Sequence, residues 1–282
     1  MFQVCLLLLI LWPQQEEKPL PDQASFMSEF RKTLHDDNTL LRQYTYTAKE
    51  TEITVDSKGK PKKTETSVYH VFHGAEDWQT YRRHISKNDV PLTEKESEKF
   101  DREERERIAK ETRKRAAWSE QKRRQEKEKA EREEREVIDE AFSLFDVQFV
   151  RRETLDGLST ILVTFKPKPN YKPKTRDGKA MQHFAGRAWI AEEDHELAKL
   201  EIEAIESLSI GAGLLAKIDK GSTLAFERRK INGEIWMPLK EEVSVNGRLL
   251  LLKGLNLRLL NEYSEFKKYT VDTILNFDEV RR

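Results

Sequence analysis

The sequence predicts an α+β protein: a curved antiparallel sheet forming an open half-barrel, with an N-terminal helix and a long charged central helix. Three observations predict it. Runs that alternate apolar and polar residues recur from Tyr44 onward, several of them joined by turn dipeptides such as Asp156–Gly157, Asn232–Gly233 and Asn246–Gly247. Consecutive hairpins make an antiparallel sheet, and a sheet of about ten strands tends to curl. One segment breaks the pattern: from Glu94 to Glu136 roughly 30 of about 43 residues are charged, and Gly and Pro are absent.

The elements follow in order. Phe2 to Trp12 is an almost unbroken apolar run followed by Pro13. It is too short to cross a hydrocarbon core, which needs about 20 helical residues, and it suits the apolar region of an export signal. Residues 1–18 are therefore expected to be a signal peptide and linker. Residues 19–282 are expected to be a single domain with a charged helical insertion at about 93–144, periplasmic or secreted. No later segment is long and apolar enough to span a membrane. Asp22 or Ser25 is placed to cap a helix whose apolar stripe is Phe26, Phe30 and Leu34. Strand patterns follow at Tyr44–Val55 and Thr64–His73 around a turn at Ser57–Lys60, and Glu76 to Ile85, with Trp78, Tyr81 and Ile85, is a further strand or a short irregular piece. Thr93 and Glu96 make a capping box that opens the charged helix.

Within that helix, acidic residues stand four before basic ones: Glu103 and Arg107, Glu106 and Lys110, Glu111 and Arg115, Glu120 and Arg124, Glu128 and Arg132, Glu131 and Arg135. Each pair stabilises by roughly 0.2–0.5 kcal/mol, so a solvated helix is expected until Val137, Ile138, Ala141, Phe142 and Phe145 resume an apolar face. Strand patterns then continue at Phe145–Glu153, Ser159–Lys166, Phe184–Ala191, Glu196–Ile205, Leu224–Ile231, Glu234–Leu239, Glu241–Val245 and Arg248–Leu257, with a glycine-rich break at Gly211–Gly213.

Composition excludes several functions. Lys+Arg and Asp+Glu are both 51, which rules out a generally basic nucleic-acid coat. Cys5 is the single cysteine, so neither a disulfide framework nor a cysteine zinc site can form within the chain. The basic runs Arg113–Arg115 and Lys122–Arg124 have Glu111, Glu120 and Glu126 as neighbours and almost no interleaved aromatics. Nucleic acid is therefore not an expected partner. His70 and His73 sit three apart on a strand and so point to opposite faces, a poor chelate. Asp194–His195 falls in a turn. With no phosphate loop, dinucleotide fingerprint, nucleophile elbow or zinc-protease motif present, no metal, cofactor or enzymatic activity is expected.

The aromatics on strands carry more. A strongly curved sheet encloses apolar surface beyond what its helices fill, and the remaining cavity would take an acyl chain. The expected cavity residues are Tyr46, Tyr69, Trp78, Phe149, Phe165, Trp189, Phe226 and Trp236, with the three tryptophans foremost.

Several segments carry a resemblance: Leu40–Leu41–Arg42–Gln43–Tyr44–Thr45–Tyr46, Val90–Pro91–Leu92–Thr93 opening the insertion, Phe145-Asp-Val-Gln-Phe149, Thr164-Phe-Lys-Pro167 and Ile235-Trp-Met-Pro238. The most telling is Gly186-Arg-Ala-Trp-Ile190 followed by Leu197-Ala-Lys-Leu-Glu201. From Phe26 to Phe266 the chain resembles exported bacterial proteins similar to the LolA, LolB and RseB lipoprotein-carrier superfamily. That resemblance implies a periplasmic half-barrel with helices in its concavity, binding lipid or the acyl chains of lipoproteins. The function expected is a carrier or sensor working by reversible opening. The alternative is a cell-envelope scaffold that engages a protein partner through the charged helix.

Overall fold

The computed structural model describes residues 18–34, 40–56, 59–210, 216–249 and 255–269. The apolar run Phe2–Trp12, Ser57 and Lys58 of the expected turn, and the Gly211–Gly213 break lie outside the described residues. A short helix, α1 (Gln23–Thr33), precedes three strands, β1 (Tyr44–Val55), β2 (Pro61–Phe72) and β3 (Tyr81–Lys87), and the two-residue β4 (Val90–Pro91). The charged insertion forms α2 (Glu94–Ala116) and α3 (Glu120–Leu144). Next come β5 (Phe145–Leu155), β6 (Leu158–Pro167), the one-turn α4 (Arg176–Met181), β7 (Phe184–Ala191) and β8 (Leu197–Ala204). The short β9 (Leu208–Ile210) and β10 (Ala216–Ile218) lead to β11 (Thr223–Ile231), β12 (Ile235–Leu249) and β13 (Leu255–Lys268).

All strands join one 13-stranded antiparallel sheet in the order β4-β3-β2-β1-β13-β12-β11-β8-β7-β6-β5, with β10 on β12 and β9 on β10. Most neighbours are also neighbours in sequence, as hairpin signals require. Among the described strands, β8 on β11 and β10 on β12 skip over short strands, and the longest-range joint is β1 on β13, which pairs the first strand with the last. Asp156–Gly157 and Asn232–Gly233 do turn the chain, each with two successive positive φ angles (50° and 83°, 52° and 71°), the first as a two-residue hairpin closing Leu155 on Leu158 and the second within a three-residue loop closing Ile231 on Ile235. Asn88–Asp89 does the same at 52° and 61°. Asn246–Gly247 does not turn: β12 runs straight through it. Gly247 sits between Ile218 and Leu255, and a Cβ there would drive into the Lys217 carbonyl oxygen. The glycine serves close backbone approach rather than a turn.

The expected single central helix is two. Ala117 leaves the helix and Ser119 starts a new one, its hydroxyl accepting from the Lys122 amide. A serine at this position competes with the continuing helix by offering its own cap, a local option that charge pairing does not reveal. Thr93 and Glu96 form the expected box at the start of α2.

α2 lies along the edge strand β3. Tyr81 Oη donates to Asp101 at 2.6 Å, the Arg82 amide donates to Glu104, and Arg107 donates to the Trp78 and Thr80 carbonyls at 3.2 and 2.7 Å. Arg107 takes Glu104 rather than Glu103 as its ion partner because it is turned toward these carbonyls. The helix thereby satisfies an edge that would otherwise invite foreign strands.

The other end of the insertion is anchored by Glu140. This carboxylate is buried, accepts from Tyr171 Oη (2.8 Å) and from the amides of Lys174 and Thr175, and rests against Gly178. Those hydrogen bonds, the Lys174 amide first, hold it below the usual carboxylate range. Glu140→Ala is expected to lower the melting temperature and to free the 168–182 segment for hydrogen exchange, because three donors lose one acceptor. Glu140→Gln restores only part, since its amide nitrogen faces donors.

The two helices together thus connect the edges of the open sheet: α2 leaves β4 and lies on β3, and α3 runs from the elbow after α2 into the opposite edge strand β5. Residues 120–136 of α3 are almost all exposed, and the residues it buries are Glu140 and Leu144 near its end.

Candidate functional site

Residues directly opposite in an antiparallel ladder share a face, so the register divides the sheet into two surfaces. α1 identifies one of them. Its Phe26 and Phe30 are buried among Ile161 and Val163 of β6 and Ala188 and Ile190 of β7, with Phe149, Phe165 and Leu200 around them. Asp22 caps the helix by accepting from the Ser25 amide, and Phe26 meets Phe149 edge to face at 5.5 Å. Phe142 of α3 packs on Phe30, and Arg31 pairs with Asp139, so the end of α3 stands on this same face.

At the far end of the sheet α2 touches the same face. Tyr69 pairs with His84, His84 stacks on the Tyr69 ring at 4.6 Å, and Phe100 of α2 meets His84 edge-on at 4.6 Å. Arg82 lies 4.1 Å over Tyr69 and pairs with Glu50. Burial holds the His84 ring below its usual value of 6.5. Burial likewise lowers His70 and His73. The groups facing His84 are Tyr69, Phe100, Arg82, Lys87 and Glu50, and the two cations oppose a further positive charge. Neutral His84 therefore contributes stability that is complete above pH 6.5 and is lost as pH falls through its depressed folded value. Melting temperature is expected to drop from pH 7.5 to pH 5.5, and His84→Gln should flatten part of that slope.

Between the two helix-covered ends lies a bare strip. One register row reads Val147, Phe165, Gly186, Ile202, Leu224, Val243 and Leu259 across β5, β6, β7, β8, β11, β12 and β13. It begins beneath α1 and then emerges. Leu224 is 37% exposed, and Ile202, Val243 and Leu259 are half-buried. Val245 and Leu257, opposite each other, widen the strip by one row. Phe226 continues the row of Phe149, Val163, Ala188 and Leu200. That row turns polar at Glu241, Asn261 and Glu50, where Glu241 accepts from Asn261 at 3.0 Å and from Tyr263 at 3.1 Å. Burial and the Glu241 charge push the Tyr263 hydroxyl well above its ordinary range. The strip is thus apolar along its length and polar at one rim.

The aromatic residues singled out by sequence fall in three places. Phe149, Phe165 and Phe226 are on the helix-bearing face with the strip. Tyr46 and Tyr69 are on that face at the α2 end, Tyr46 among His73, Tyr263 and Phe266. The three tryptophans are elsewhere. Trp189 pairs with Leu162 and Lys199 on the outer face, where Arg187 and Lys199 flank it and its indole donates to Glu153 at 2.6 Å. Trp236 packs on Ala191 and Ala198 and donates to Asp194 at 2.9 Å. Trp78 lies beneath Arg115 of α2. The aliphatic members of the strip were not singled out. Their signal is the alternation Leu224/Phe226, Val243/Val245 and Leu257/Leu259, each apolar pair separated by one residue. A separate groove of about 460 Å³ lies over β7, β8 and β11; the side chains of Ala185, Arg187, Glu201, Glu203, Thr223 and Ala225 in its lining share the outer face by register.

Among the described residues no group of three His, Cys, Asp or Glu is placed to hold a metal ion, and no helix is long and apolar enough to cross a membrane.

No family model and no curated protein matches the chain. Three solved structures similar to it are the following. A domain assigned to outer membrane lipoprotein sorting from Vibrio parahaemolyticus covers 92% of this chain and 97% of its own, at 9% identity and a TM-score of 0.35. A LolA superfamily protein from Nitrosomonas europaea covers 91% and 98% at 10% identity and a TM-score of 0.27. A chain of the Pseudomonas aeruginosa MucA/MucB complex covers 88% and 99% at 8% identity and a TM-score of 0.23. At TM-scores this low the functional reading rests on the chain's own residues.

Proposed function

We propose that this chain is an extracytoplasmic, non-enzymatic carrier or sensor that holds a lipid acyl chain, free or attached to a lipoprotein, along the bare apolar strip of the sheet's helix-bearing face. One observation carries the reading. The apolar row that forms the core beneath α1 continues uncovered over β8, β11, β12 and β13. Each methylene buried there contributes about 0.8 kcal/mol, so a dozen supply about 10 kcal/mol before the cost of association. No charged anchor is required. Phe149, Phe165 and Phe226 would line the inner end of the site, and Tyr46 and Tyr69 would close the outer one. Movement of α1, whose Phe26 and Phe30 occupy the inner end of the same face, would lengthen the site for a longer chain.

The test is native mass spectrometry of protein purified without detergent, followed by titration of the lipid-stripped protein with a fluorescent fatty acid and a diacylated lipopeptide. A retained lipid mass and saturable binding are expected. Absence of both would overturn the proposal.

A further inference from the structure

The break between α2 and α3 gathers what the linear sequence separates. From Glu111 to Arg124 there are six basic residues, Arg113, Lys114, Arg115, Lys122, Arg123 and Arg124, against the acidic Glu111 and Glu120. The elbow folds the two basic runs around Trp118. Arg115 lies 5.2 Å from its ring centre and Lys122 5.1 Å, and Arg123 reaches back to the Ala116 carbonyl. Glu111 is occupied by Arg115 at 2.8 Å and Lys114 at 3.3 Å. Arg113, Lys114, Lys122, Arg123 and Arg124 are exposed, and Trp118 is half-exposed. The stretches on either side carry no matching excess, so positive charge is concentrated at this tip. The tip itself is held by Arg115 lying over Trp78 at 5.4 Å.

From this geometry we infer that the elbow is a docking surface for an anionic lipid bilayer. Cations within a Debye length of one another add their attraction to a surface of negative headgroups. An indole flanked by cations is suited to the headgroup level, with its ring toward the acyl boundary and its N–H toward water. A duplex nucleic acid would also attract the charge. Beyond the tip, though, α2 and α3 carry acidic residues such as Glu103, Glu106, Glu126 and Glu128, which would repel the phosphates of a duplex laid along either helix, so the bilayer is the favoured partner.

The test is co-sedimentation of the full chain with phosphatidylglycerol-containing vesicles and with pure phosphatidylcholine vesicles, at low and high salt. Salt-sensitive binding to the anionic vesicles is expected. The exposed triple variant Lys114→Gln/Arg123→Gln/Arg124→Gln should bind on the order of 100-fold more weakly, about five-fold for each charge removed. Trp118→Ala should also weaken binding. Lys127→Gln/Lys129→Gln, on the same helix beyond the elbow, should bind like the native chain. No binding to anionic vesicles would overturn the inference. So would equal binding to neutral vesicles, an unaffected triple variant, an equal loss in the Lys127/Lys129 variant, or displacement from the vesicles by duplex DNA at equal phosphate. The Leu224→Glu variant, altered only in the strip, should retain vesicle binding, so failure of the acyl-chain reading is distinguishable from failure of this one.

Discussion

A Gly186→Ala variant is expected to lose about 2–3 kcal/mol of folding stability, read as a lower urea midpoint with an unchanged slope. Gly186 stands in β7 opposite Phe165 on one side and Ile202 on the other. A Cβ there would fall inside the Glu201 carbonyl oxygen and 2.8 Å from Phe165 Cζ. The first is backbone in the centre of the sheet and cannot swing away. The second is a ring packed in the α1 core. Gly233→Ala makes the contrast: its φ of 71° strains an alanine, but nothing lies within 4 Å, so the cost should be nearer 1 kcal/mol. Equal losses in the two variants would show that Gly186 is not required by close packing.

The second large effect concerns binding. Leu224→Glu combined with Leu259→Glu should weaken acyl-chain binding at least about 100-fold, because a carboxylate would have to be desolvated against the hydrocarbon. Both side chains are partly exposed, so the fold should survive, and an unchanged melting transition would verify it. Phe226→Ala should give a smaller loss, since Phe226 lies one row off the strip. The readout is the fluorescent fatty acid titration. Full-strength binding by the double variant would move the site elsewhere, the outer groove over β7, β8 and β11 being the next place to look.

Much of the architecture is legible along the chain. The stripe Phe26, Phe30, Leu34 marks α1, and Phe26 and Phe30 are the residues it buries. Asp156–Gly157 and Asn232–Gly233 turn where expected because both residues of each pair take positive φ. Asn246–Gly247 carries the same signal and lies inside β12. Its glycine is demanded by β10 passing alongside, a contact made by residues about 30 positions earlier that no window around Asn246 contains. The insertion is helical as its charge pairs require, but its break at Ser119 depends on a serine hydroxyl competing with a helix that could equally have continued.

The candidate site was less legible. Large aromatics draw attention because they bury the most area, yet Trp189 meets its needs on the outer face through Glu153 and two flanking cations. The strip is made instead of ordinary Ile, Leu and Val, whose alternation states that one face of each strand is apolar and not which strands stand side by side.

Element type, the turns at Asp156–Gly157 and Asn232–Gly233 and the charge balance of the insertion are set by residues within about four positions of one another, and they can be read from their order alone. The pairing of β1 with β13, the alignment of seven strands into one apolar row, and the docking of Arg115 on Trp78 are different in kind. Each is a contact between distant residues, selected because the whole sheet buries more apolar surface that way, and that selection is made only when the chain folds.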